Sequence, residues 1–65
     1  MEFTITKTRQ TKNAPLEKIV IDAERGQLFD DFSLRFFDMN GDEIHPRFED
    51  GEWLCVDPVE NIVKP

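Results

Sequence analysis

Cysteine and histidine each occur only once in this chain of 65 residues, as Cys55 and His45. A single cysteine excludes an intramolecular disulfide and a cysteine-based zinc cluster. The sequence contains no signal peptide, transmembrane segment or lipidation motif, so we expect a cytoplasmic location. A chain this short forms a small core without a buried pocket for a drug-sized ligand, and we expect no cofactor and no metal.

Basic residues are scarce in the second part of the chain. The net charge is −6, and residues 27–65 carry three Lys or Arg against ten Asp or Glu, whereas residues 1–26 are nearly neutral. An acidic surface repels phosphate groups, which argues against direct binding of DNA or RNA. It suits a basic protein partner or serves solubility alone.

Aromatic residues are concentrated between positions 32 and 57, which hold five of the seven. The same stretch contains Asn40-Gly41 and Asp50-Gly51, dipeptides that tolerate positive φ and mark hairpins between apolar runs. The pattern predicts three antiparallel strands, a meander over residues 32–57.

The first turn of this meander has one register that gathers the apolar side chains. We predict a three-residue loop, Met39-Asn40-Gly41, with Gly41 in the left-handed region. One face then contains Phe32, Leu34, Phe36, Ile44, Pro46 and Phe48. The opposite face contains Ser33, Arg35, Phe37, Glu43, His45 and Arg47. A one-residue slip would exchange the two sets, so the buried face fixes the register.

The second turn is less well determined by the pattern. A two-residue loop on Asp50-Gly51 pairs Phe48 with Trp53 and places Trp53 and Cys55 on the apolar face, whereas a three-residue loop would turn Leu54 and Val56 inward. We interpret Cys55 as a small buried apolar residue and Trp53 as part of the core. Pro46 fits poorly in a middle strand, because it lacks an N–H group.

The first half of the chain predicts a hairpin over residues 2–23. Phe3 and Ile5 alternate with threonines in a strand over residues 2–9, and the return strand covers residues 16–23. Residues 24–26 form a turn, and residues 27–31 fit either a strand or a short helix. Residues 58–63 predict one helical turn, with Asp57 as its N-cap and Pro58 at the first helical position.

Together these elements predict a single all-β domain over residues 1–65. Five antiparallel strands and a C-terminal helical turn would form a small SH3-like or OB-like barrel, or a curled sheet. Such a fold carries little information about function.

The acidic stretch 38–43 resembles a calcium-binding loop, and His45 is of a residue type used in acid–base catalysis, but their surroundings in the sequence support neither function. Residues 38–43 contain acidic side chains like a calcium loop, but Gly41 occupies the fourth position instead of the sixth, so a hairpin turn is favoured. His45 has no nucleophile or second acid–base group in a cleft beside it. We interpret it as a surface histidine paired with Glu43 and expect no enzyme.

The predicted partner-binding residues are Arg35, Phe37, His45 and Arg47, with Phe37 as an exposed aromatic anchor. Aromatic and Arg side chains are enriched in binding hot spots. The alternative is that the N-terminal hairpin covers this face and buries Phe37. We hypothesise a protein-interaction module that binds one protein through a sheet face or edge, as phage- or plasmid-type regulators and inhibitors do.

Two further hypotheses remain open. The chain could be an acidic mimic that blocks the nucleic-acid site of another protein, through Asp30, Asp31, Asp42, Glu43, Glu49 and Asp50. It could also be a structural subunit whose edge strands pair with neighbours in a larger assembly.

Overall fold

The computed structural model describes all 65 residues and shows an all-β architecture of seven strands in two sheets. The strands are β1 (Glu2–Lys7), β2 (Lys18–Asp22), β3 (Arg25–Leu28), β4 (Leu34–Phe37), β5 (Glu43–Phe48), β6 (Trp53–Asp57) and β7 (Ile62–Val63). Neither sheet closes into a barrel, and the predicted five-stranded SH3-like or OB-like arrangement is not confirmed. No helix in the chain has the length and apolar composition needed to cross a bilayer.

The three-stranded sheet has the order β2-β1-β6, with all pairs antiparallel. The alternation in β1 turns Phe3 and Ile5 into the core, where both are fully buried. β2 pairs with β1 without a register shift and forms the hairpin that this alternation predicts.

The four-stranded sheet has the order β5-β4-β3-β7. β3 includes two residues of the turn predicted over residues 24–26 and the first two residues of the undecided stretch 27–31. β7 lies parallel to β3, with Ile62 opposite Gly26. The 3₁₀ turn Val59–Asn61 leads into β7 and has Pro58 at its N-cap position, so the prediction that Asp57 caps a helical turn is wrong.

The third strand of the predicted meander pairs with a different neighbour. β6 lies beside β1 in the three-stranded sheet, and β5 is an edge strand. This pairing removes the difficulty with Pro46, because a residue without an N–H group interrupts no ladder at a sheet edge.

The first turn of the meander is confirmed, and the register beyond it is not. Phe37 lies opposite Glu43, Phe36 lies opposite Ile44, and Gly41 has a φ of 85°. The register then shifts, so that Phe48, and not the predicted Pro46, lies opposite Leu34. The shift buries Phe48 and leaves Pro46 exposed.

Three side chains lie elsewhere than predicted. Phe32 is in the turn before β4, with a φ of 65°, and its side chain is 61% exposed. Ser33 was expected on the polar face and is fully buried. Cys55 is exposed, while the neighbouring Val56 is buried opposite Ile5.

The core lies between the two sheets. The rings of Phe3 in β1 and Phe36 in β4 are tilted against each other with centroids 5.2 Å apart. Trp53 is half-buried against the core, and its Nε1 donates a hydrogen bond to the carbonyl of Phe32 at 3.1 Å. The nine buried hydrophobic residues are Phe3, Ile5, Ile21, Ala23, Leu34, Phe36, Phe48, Val56 and Ile62.

Candidate interaction surface

The outer face of the four-stranded sheet carries the predicted partner-binding residues of β4. Phe36 turns into the core, so Arg35 and Phe37 turn away from it. On β3, Arg25 lies opposite Phe37 and Gln27 lies opposite Arg35. Cross-strand neighbours of this kind have side chains in reach of each other, so these four residues form one continuous surface.

Two arginines and two phenylalanines form a row on this face, which we name the Arg–Phe stack. The guanidinium carbon of Arg25 lies 4.7 Å from the centroid of the Phe37 ring, and that of Arg35 lies 4.3 Å from the centroid of the Phe29 ring. The two rings are 6.2 Å apart and inclined at 49°. Both distances from cation to ring are within the range of attractive cation–π contacts.

Arg35 is held in this position by the turn between β3 and β4. Its Nε donates to the hydroxyl of Ser33 at 3.1 Å, and its Nη2 lies 3.6 Å from Asp31 Oδ2. The other carboxylate oxygen of Asp31 accepts a hydrogen bond from the backbone N–H of Ser33 at 3.0 Å. Hydrogen bonds from Ser33 lower the pKa of Asp31, with a smaller contribution from the charge of Arg35.

On β5, the side chains of Glu43 and Arg47 form a bidentate ion pair. Arg47 Nε lies 2.8 Å from Oε2 and Nη2 lies 2.7 Å from Oε1 of Glu43. The hydrogen bonds from Arg47 lower the pKa of Glu43, and the same bonds raise the pKa of Arg47. Because Glu43 lies opposite Phe37, this ion pair begins beside the Arg–Phe stack.

The four predicted partner-binding residues therefore have different environments. Arg35 and Phe37 belong to the stack, and Arg47 lies near it through Glu43. His45 is exposed on the edge strand, and the prediction that it pairs with Glu43 is wrong, because Glu43 bonds to Arg47. The N-terminal hairpin packs on the opposite side of β4 through Phe3, so it does not cover this face. Phe37 is half-buried, which is neither the predicted exposed anchor nor the alternative of a core residue.

Two members of the stack, Arg25 and Phe29, were not predicted. The signal that would have found them is the strand period, because Arg25, Gln27 and Phe29 alternate with Gly26 and Leu28. The apparent helical spacing of Leu28, Phe29 and Phe32 concealed this alternation.

The six predicted acidic-surface residues are divided between both ends of the four-stranded sheet, five in its turns and Glu43 at the start of β5. Asp31 and Glu43 pair with arginines as described, and Glu49 Oε1 lies 3.7 Å from Arg47 Nη1. The other three carboxylates, of Asp30, Asp42 and Asp50, are exposed and have no cation within 4.0 Å. Three carboxylates of the set thus share the two guanidinium groups of Arg35 and Arg47.

An open depression of about 530 Å³ adjoins the Arg–Phe stack. Its lining consists of Gln27, Leu28, Phe29, Asp30, Asp31, Arg35 and Pro65. No group of three or more His, Cys, Asp or Glu residues in the chain could hold a metal ion.

Comparison of the chain with protein-family models, with curated proteins and with solved structures finds no match.

Proposed function

We propose that this chain is a non-enzymatic protein-interaction module that binds one protein partner through the outer face of its four-stranded sheet. The Arg–Phe stack is the observation that carries the proposal. It places two aromatic rings and two guanidinium groups in a row on a surface that the rest of the chain leaves half-exposed.

Both the residue types of the stack and the fixed position of Arg35 within it favour binding. Aromatic and Arg side chains are enriched among the residues that dominate binding energy. Immobilising a flexible side chain on binding costs about 0.5–1.5 kcal/mol, and side chains already held in place avoid part of that cost. Arg35 is held by Ser33 and Asp31 before any partner arrives.

The charges around the stack favour a partner with a basic side chain beside an apolar patch. Asp30 lines the depression next to Phe29 and has no cation of its own, and Asp31 lines the same depression. A Lys or Arg of the partner could enter there while an apolar group contacts Phe37. Regulation or inhibition of one host protein, as by phage- or plasmid-type regulators, is the role we propose.

The carboxylates that pair with arginines favour this role over mimicry of a nucleic acid. A mimic must present free negative charges in a row, and the arginine partners of Asp31, Glu43 and Glu49 reduce that charge. The remaining free carboxylates are separated between the two ends of the sheet.

The test begins with affinity capture from a native lysate on the immobilised chain, at low and at high salt, and continues with the purified captured protein. We expect Phe37→Ala to weaken its binding at least about tenfold, as hot-spot truncations do. Leu54→Ala is the matched control, because Leu54 is an exposed hydrophobic residue of the other sheet. We expect it to leave the affinity unchanged.

A second pair of variants tests the stack without removing a ring. Arg25→Ala removes an exposed guanidinium that has no ion pair, and Arg9→Ala removes a comparable one from the loop after β1. Only Arg25→Ala should weaken binding of the partner. Equal affinities for all four variants, with unchanged thermal unfolding, would contradict the proposal. Capture of nucleic-acid-binding proteins at low salt alone would contradict it in favour of the mimic.

A further inference from the structure

We propose that two copies of this chain form a symmetric dimer by antiparallel pairing of β2 with β2. The pairing would join the two three-stranded sheets into one sheet of six strands. β2 lies in a different sheet from the Arg–Phe stack, so this inference is independent of the proposed function.

β2 has a free edge whose hydrogen-bonding groups can be assigned. Lys7 N donates to Glu17 O at 2.8 Å, and Ala23 N donates to Met1 O at 2.9 Å, so the backbone groups of the odd-numbered residues point at β1. Along an antiparallel ladder, residues whose N–H and C=O groups face the neighbouring strand alternate with residues whose groups face the other way. The N–H and C=O groups of Lys18, Val20 and Asp22 therefore point away from β1, on the side where the sheet has no further strand.

The other edges of the two sheets are interrupted, and this one is not. β5 contains Pro46 and a register shift, the β6 ladder has a bulge opposite Thr6 and Lys7, and β7 is two residues long. Prolines, bulges and short strands are features that prevent pairing at sheet edges. β2 has none of them, and Val20 at its centre is 60% exposed.

The sequence of β2 is complementary to itself in one antiparallel register. With Val20 opposite Val20 of the second copy, Lys18 lies opposite Asp22 at both ends. This register also brings together the residues whose backbone groups are free, so that each of the three pairs exchanges two hydrogen bonds. Moving the register by two residues in either direction would place Val20 opposite a charged residue and remove both Lys–Asp pairs.

Both charged side chains are available for this pairing. Lys18 has no acidic partner within 4.0 Å in its own chain. Asp22 contacts only the N-terminal ammonium at 3.1 Å, and its side chain is 81% exposed. On the inner face, Ile19 of one copy would lie opposite Ile21 of the other and extend the apolar side of the sheet.

The dimer would be weak, because a pair of five-residue strands buries less than the roughly 1,200 Å² of the smallest stable interfaces. We expect a dissociation constant on the order of 100 µM. Sedimentation velocity on the full chain, from about 20 µM to about 1 mM, covers the transition.

Charge reversal at the two ends provides the decisive variants. Lys18→Asp and Asp22→Lys each change both cross-strand pairs from attraction to repulsion, so each should weaken self-association about tenfold. An equimolar mixture of the two single variants restores opposite charges at both pairs and should associate as tightly as the wild type. The double variant Lys18→Asp/Asp22→Lys should do the same. If the mixture and the double variant recover self-association, the loss in the single variants is due to the cross-strand pairs and not to folding or net charge.

Amide hydrogen exchange locates the contact. The amides of Lys18, Val20 and Asp22 should become protected as the concentration rises, whereas those of Ile19 and Ile21 should be protected throughout. A wild-type chain that stays monomeric at about 1 mM would overturn the proposal. Equal association of both single variants and the wild type would also overturn it.

Discussion

The contact between β3, β4 and β7 depends on the absence of a side chain at Gly26. A Cβ atom added there would lie 2.5 Å from Ile62 Cδ1, 2.9 Å from Phe36 Cε1 and 3.2 Å from Phe36 Cδ1. The Phe36 ring is fully buried and packs on Phe3, so it cannot move without opening a gap in the core. Ile62 Cδ1 is the end of a flexible side chain, but that side chain is 7% exposed.

The expected cost of Gly26→Ala follows from these contacts. Overpacking a core by one methyl group costs about 1–3 kcal/mol. Alanine loses less backbone entropy on folding than glycine, which offsets about 0.5–1 kcal/mol. The two ranges together give a net loss of up to about 2.5 kcal/mol in the free energy of unfolding. Because the fully buried Phe36 ring has no room to move, we expect a loss of about 1–2 kcal/mol. Small domains have roughly 0.05–0.15 kcal/mol of stability per residue, so this loss is a measurable fraction of the whole.

Urea unfolding of Gly26→Ala, Ile62→Val and the double variant measures the effect and its cause. Ile62→Val removes Cδ1 and should cost about 1 kcal/mol in the wild type. In the Gly26→Ala background it also relieves the nearest contact, so its cost should fall towards zero. The reasoning is refuted if Gly26→Ala is as stable as the wild type, or if Ile62→Val costs the same in both backgrounds.

Three further predictions concern the ion pair, the turn before β4 and the exposed thiol. Because hydrogen bonds from Arg47 lower the pKa of Glu43 in the folded chain, the contribution of Glu43 to stability is present above the ordinary pKa of 4.5 and is lost as the pH falls through the folded pKa. Glu43→Gln should therefore flatten the fall in urea midpoint on acidification. Phe32→Gly should raise the unfolding free energy by up to about 1 kcal/mol, since the φ of 65° at Phe32 strains a bulky residue, and thermal unfolding would show no gain if that strain is absent. Cys55 should react with a thiol reagent in the folded chain as fast as in urea, whereas strong protection would place it in the core.

The local features of the fold were predictable because neighbouring residues determine them. The alternation around Phe3 and Ile5 predicts β1, and the left-handed preference of Gly41 predicts the turn between β4 and β5. Each of these depends on a few consecutive residues and on one physical preference.

The pairing of β6 was not predictable from the same information. A turn at Asp50-Gly51 is compatible with a hairpin, but it does not require that the two flanking strands pair. The choice between β5 and β1 depends on which partner completes the core, and Cys55 and Val56 exchange faces with that choice. Pro46 was the one local sign that β5 lies at an edge.

Only the part of the candidate surface that depends on neighbouring residues was predictable. Arg35 and Phe37 follow from the register of the first turn, which is local. Arg25 and Phe29 lie on a strand whose period was obscured by the turn that follows it. The Glu43–Arg47 pair joins side chains four residues apart on one strand, and the regular strand rise does not predict that contact.

The central claim is that a protein partner binds the outer face of the four-stranded sheet, and mapping the residues that the partner contacts tests it most directly. With the captured partner added to the isotopically labelled chain, nuclear magnetic resonance records which backbone and side-chain signals shift. We expect the largest shifts at Gln27, Phe29, Arg35 and Phe37, with Leu54 and Cys55 on the other sheet unaffected. Shifts confined to the three-stranded sheet, with the Arg–Phe stack unchanged, would contradict the account.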